Sequence, residues 1–288
     1  MRRLPLVLSA LLLAACHGSP EPVPPPVVPD PGSILDLRTG QALSPEELVE
    51  RLAQAPRLIV GEQHDNADHH VLQLWLLRSL AMERPQGSLL LEMLNPDQQL
   101  RVDEVKREAA GQRLPDDLIK ALAWQPGWDW GLYGPVVGYA LRQPYPLLAA
   151  NLDRQEIRRV YTQAPVLGGM QSNALSVTQA LSEQIRQSHC GLLPETQVPA
   201  MLAVQQQRDR RMAERLLAAP VPAMLLAGAF HARRDLGVPL HMADLDQSRP
   251  VVVLLLAERG SRVPAAAADY VWYTPPQPAK DYCAQLKP

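Results

Sequence analysis

Short apolar runs, separated by polar, proline- and glycine-rich stretches, recur along this chain at lengths that suit strands. Leu58-Ile59-Val60 has no polar interruption and reads as a buried strand breaking at Gly61, where the backbone can turn. Asp65, Asn66 or Asp68 can cap the helix implied by Val71 to Leu77. Ser88 to Leu91 ends at Glu92, and Pro146 to Ala150 ends at Asn151. Ala223 to Ala227 runs into Gly228-Ala229-Phe230-His231, repeating the Gly-x-x-His ending of Gly61 to His64. Val251 to Leu256 and Tyr270 to Tyr273 complete the core strands, and Ile34 to Leu37 forms a hairpin with Gln41 to Leu43.

Helical spacing fills the intervals. Ser44-Pro45-Glu46-Glu47 combines a cap, proline at the first position and acids in the first turn, and its helix ends near Ala55-Pro56. Asn95-Pro96-Asp97 opens a helix to about Ala110, and Leu114-Pro115-Asp116-Asp117 opens another. Glu195 to Ala219 is a long amphipathic helix with a stripe of Met201, Leu202, Val204, Met212, Leu216 and Leu217; Gln205, Arg208 and Asp209 lie beside it. Strand and helix alternate without an interior linker. The expected fold is therefore α/β: a mostly parallel central sheet flanked by helices, in a single domain over residues 33–288.

The first 32 residues follow different rules. Residues 1–15 pair a short basic start with an apolar run too short to span a bilayer, as in a signal peptide. Leu13-Ala14-Ala15-Cys16 resembles a bacterial lipobox, so Cys16 is expected to carry acyl chains such as palmitate and to anchor the chain to a membrane. His17 in place of aspartate favours the outer membrane, facing the periplasm. Residues 16–32 then form a linker, with seven of the 29 prolines between Ser19 and Gly32. In an oxidising compartment the remaining cysteines, Cys190 and Cys283, suggest one disulfide, with separate thiols as the alternative. A net charge of −2 without a basic block argues against nucleic acid as a partner.

His64, Glu92, Asn151 and His231 all follow apolar strands, and the carboxyl edge of a parallel sheet is where ligands bind. Imidazole and carboxylate can ligate a divalent metal ion or act as general acids and bases. One reading is thus a metal-dependent hydrolase, with His64, Glu92 and His231 holding the ion or activating water and Arg233 stabilising an oxyanion. His69 and His70 lack the spacing of a helical zinc site, and His70 falls on the Leu74/Leu77 face, where it can pack. No Gly-x-Ser-x-Gly elbow supports serine hydrolase chemistry.

Several stretches together resemble the ChaN-like haem-binding lipoprotein family. They are Gly61-Glu62-Gln63-His64-Asp65-Asn66 with His69-His70, Leu89-Leu90-Leu91-Glu92-Met93, Trp128-Asp129-Trp130 with Tyr133-Gly134-Pro135, and Ala149-Ala150-Asn151-Leu152-Asp153-Arg154. Gln205, Arg208-Asp209, Met212-Ala213 and the run from Gly228 to Pro239 continue the likeness, which extends from Ile34 to Met242. The paired Gly-x-x-His motifs are also similar to the wider superfamily of Tiki/TraB metalloproteases and erythromycin esterases. The resemblance implies haem binding for bacterial iron acquisition, without turnover, and possible work with an outer-membrane haem receptor system. It further implies a homodimer enclosing two stacked haems, with iron bound by a tyrosine. Tyr133 is the first candidate, with Tyr145 and Tyr161 as alternatives. His231 or His64, with Arg233 and Arg234, would meet the propionates. One departure is visible: the family's His-Cys-Gly-His reads His189-Cys190-Gly191-Leu192 here.

Overall fold

The computed structural model describes residues 32–109 and 113–285. The expected signal peptide, Cys16 and most of the linker lie outside the described residues. In chain order, β1 (Ser33–Asp36) and β2 (Ala42–Leu43) precede α1 (Pro45–Ala53), β3 (Arg57–Glu62), α2 (Ala67–Glu83), β4 (Ser88–Leu91), α3 (Gln99–Glu108), α4 (Leu118–Ala121) and α5 (Trp130–Leu141). Then come β5 (Leu147–Ala149), α6 (Arg154–Thr162), α7 (Leu175–Ser188), α8 (Val198–Ala218), β6 (Ala223–Gly228), α9 (Ala229–Ala232), α10 (Val238–Leu245), β7 (Val252–Glu258) and β8 (Tyr270–Thr274).

Among the described residues, eight strands join one sheet in the order β2-β1-β8-β7-β3-β6-β4-β5. The six strands from β8 to β5 are parallel, and the β1–β2 hairpin adds an antiparallel edge. This is the expected α/β fold with a mostly parallel sheet.

Side chains alternate across the sheet, so each apolar strand feeds two cores. Leu58, Val60, Leu89, Leu91, Met224, Leu226, Leu254 and Leu256 pack on one side with Leu48 and Leu52 of α1, Leu72 and Leu76 of α2, and Val136 and Val137 of α5. On the other side Ile59, Leu90, Leu225, Val253 and Leu255 meet Met212, Ala213 and Leu216 of α8 and Val238 and Met242 of α10. Every residue of β3 and β6 is buried, which fixes their carboxyl ends firmly.

Local signals act where expected at α1, where Ser44 and Glu47 form a reciprocal capping box. Of the three candidates before α2, Asn66 is the cap: its side-chain oxygen accepts from the Asp68 and His69 amides. Gly61 does not turn the chain. It lies inside β3, where a Cβ would sit 2.5 Å from both Ala232 and Leu255, so its role is to admit α9 and β7. His231 lies in α9, one turn beyond β6, rather than at the strand end. The aromatic segment from Trp124 folds back as α5, capped by Asp129. Cys190 and Cys283 are joined in a disulfide.

Candidate functional site

Parallel pairing sets the site. In the β3–β6 register Glu62 stands opposite Gly228, and Glu92 follows Leu91, which stands opposite Leu226. Three carboxyl ends therefore meet at one edge. Gly228 is needed there for space: a Cβ would lie 2.7 Å from His64 Nε2.

A buried charge chain occupies the floor. His231 is held by Asp209 Oδ1 at 2.6 Å from Nδ1 and by Glu92 Oε1 at 3.3 Å from Nε2, with the Gln205 amide 3.1 Å from Nδ1. The Gly228 amide donates to Glu92 Oε2 at 2.8 Å. Asn151 donates to the Glu92 carbonyl, so it braces the backbone and does not enter the site. Burial disfavours the charged imidazole, but Glu92 and Asp209 outweigh it and push His231 up to about 10. Burial likewise opposes ionised Glu92, yet His231, His64 and the Gly228 amide hold its carboxyl well below the usual range. Burial raises Asp209 to about 6 against the pull of His231. His231 is thus a locked imidazolium between two carboxylates.

The second cluster faces outward. His64 Nδ1 donates to Glu62 Oε1 at 2.8 Å and lies 3.0 Å from the Tyr133 hydroxyl, which itself donates to Glu62 at 2.8 Å. His64 Nε2 has no hydrogen-bond partner among the described residues, and the side chain is 41% exposed. Burial lowers the His64 pKa, but the Glu62 hydrogen bond and nearby Glu92 raise it more. Trp128 meets the ring edge-on at 4.9 Å. His70, buried against Tyr133, bonds Gln73 and the His64 carbonyl. His69 accepts from the Gln63 amide and lies 3.2 Å from the Thr274 hydroxyl. Both are structural.

At the same carboxyl edge an apolar cleft of about 240 Å³ is lined by Gln63, the residue before His64, and by Phe230, Arg233, Leu255, Glu258 and Arg262, among others. Phe230 is 43% exposed, and Arg233 is half-buried and paired with Asp235. Arg234 does not join it. It pairs with Asp269 and lines a separate cleft with Pro239 and Arg249.

Four sequence expectations change accordingly. His231 cannot meet a propionate, because both ring nitrogens are bound and the residue is buried. Arg234 points elsewhere. Tyr133 is 1% exposed and donates to Glu62, while burial and that carboxylate raise its phenol far above the ordinary range, so its hydroxyl is engaged inside the fold. The divalent-metal reading of His64, Glu92 and His231 gains no support: among the described residues no three His, Cys, Asp or Glu side chains are set to hold a metal ion. Glu62, Asp209 and Trp128 carry roles that residue types alone did not assign. Asp209 had a usable signal, since it sits beside the apolar stripe of α8.

Residues 48–242 match the family described as haem-binding uptake, Tiki superfamily, ChaN. The structure is similar to ChaN of Campylobacter jejuni, solved with cofacial haem, at 30% identity and a TM-score of 0.76, covering 83% of this chain and 95% of that one. A mutant of the erythromycin esterase EreC in its open conformation is 15% identical, with a TM-score of 0.47 over 79% of this chain and 76% of that one. A Bacillus cereus protein is 11% identical, with a TM-score of 0.40 over 74% and 68%. At those last two values the likeness carries no functional weight. No curated protein matches the chain in sequence.

Proposed function

The chain belongs to the ChaN family of haem-binding uptake proteins in the Tiki superfamily, and on that premise we propose that it binds haem on the face formed by His64, Trp128, Phe230 and Arg233. One observation carries this reading. A half-exposed imidazole, an exposed phenyl ring and an apolar cleft with guanidinium groups at its rim share one sheet edge. That chemistry fits a porphyrin, whose apolar edge suits the cleft and whose propionates suit Arg233 and His64. Haem supplies the redox-active iron for uptake; the protein supplies the surface and the charge.

The tyrosine ligand is compatible with this reading only through an exposed phenol. Tyr145 is buried like Tyr133, whereas Tyr161 on α6 is 37% exposed. An open face covers one side of a porphyrin and leaves the other in water, which favours a homodimer whose two haems cover each other. Cys16 would anchor the chain to the outer membrane, facing the periplasm, within reach of a haem receptor system.

Haemin titration of the unlipidated chain, followed by Soret absorbance, tests the reading. The expected result is a saturable band, with affinity about tenfold weaker in Arg233→Ala. No change in the Soret spectrum would overturn it.

A further inference from the structure

The C-terminal segment lies outside the residues that match the family, which end at 242, yet it reaches the candidate face. After β8 the chain carries Pro275, Pro276 and Pro278, which restrict its backbone. Gln277 donates to Asp68 Oδ2 at 2.8 Å, Lys280 pairs with Asp65 Oδ2 at 2.8 Å, and the Tyr282 hydroxyl donates to the same Asp65 oxygen. Asp65 directly follows His64. The bond to Asp65 raises the Tyr282 phenol to about 12, burial adds a little, and Glu258 of the Phe230 cleft contributes as well.

The next residue, Cys283, is bonded to Cys190 just past the end of α7. Terminal segments fray unless tied down, and this one is tied by three side-chain contacts and one covalent bond. Its tyrosine is 52% exposed although its hydroxyl is satisfied. What remains exposed is the ring, on a segment anchored to Asp65, the residue after His64.

We propose that the segment Pro275–Cys283 is a fixed wall of the ligand face, in which the Tyr282 ring packs against a flat apolar ligand and the Cys190–Cys283 bond holds it in place. The proposal rests on the haem reading above. The wall narrows the open side of the face, and Lys280 keeps Asp65 neutralised, so that an anionic ligand meets less repulsion at the rim.

Haemin titrations of oxidised wild type, Tyr282→Ala and Cys283→Ser test it, alongside the rate of tryptic cleavage after Lys280 with and without haemin. Both variants are expected to bind about three- to tenfold more weakly than wild type, and haemin should slow cleavage at Lys280 in wild type. Wild-type binding with unchanged affinity in both variants, and unchanged cleavage, would overturn the wall while leaving the haem reading intact. No haemin binding by wild type would overturn both.

Discussion

His64 and His231 end similar sequence motifs but do opposite work. His231 is buried between Asp209 and Glu92 and is an internal counter-ion. His64 leans on Glu62 and keeps part of its ring in solvent. Removing His231 strands two buried carboxylates, so His231→Ala should cost about 3–5 kcal/mol in urea unfolding, whereas His64→Ala leaves no such pair unmatched. The same chain of charges sets a pH window. His231 is raised from 6.5 to about 10, so its stabilisation is complete below 6.5 and is lost as pH climbs through 10. Glu92 is depressed from 4.5, so its contribution is present above 4.5 and is lost as pH falls below it. Asp209 is raised from 3.8 to about 6, so its contribution runs the other way and is lost as pH rises through 6. Unfolding free energy should therefore fall from pH 6.5 to pH 10, and a stability that rises from pH 7 to pH 10 would contradict the assignment. In the sequence, Glu62 and Asp209 stood within the resembling stretches, but their partners were not legible, because burial is a property of the packed chain.

At the scale of elements, the site depends on how β3 hands over to α2. Asn66 caps that helix through the Asp68 and His69 amides and also donates to Glu258 at 2.8 Å, tying the helix start to the end of β7. Asn66→Ala should cost about 1–2 kcal/mol by thermal or urea unfolding. The core strands were legible because they are almost wholly apolar and bounded by turn residues. α5 was not, since Gly131, Gly134 and Pro135 are poor helix formers that packing overrides. α6 and α7 were also missed: α6 buries only Val160, and α7 buries only Val177, Leu181 and Ile185. So few buried positions leave a weak periodic signal.

For the molecule as a whole, the parallel sheet brings distant stretches to one edge, and the resemblance noted in the sequence already named most of them. Sequence could place His64, His231, Arg233 and Arg234 near that edge. It could not say which face outward, because consecutive arginines diverge into separate clefts and α9 turns His231 inward. Gln277, Lys280 and Tyr282 then bring the C-terminal segment to Asp68 and Asp65 at the start of α2, and the Cys190–Cys283 bond ties it to the turn after α7. The central claim is that haem lies on the face of His64, Trp128, Phe230 and Arg233. Hydrogen–deuterium exchange with and without haemin tests it most directly. Slower exchange should concentrate in the segments around residues 62–68, 126–133 and 229–235. Haemin binding that protects a different surface, and leaves these segments unchanged, would contradict the account.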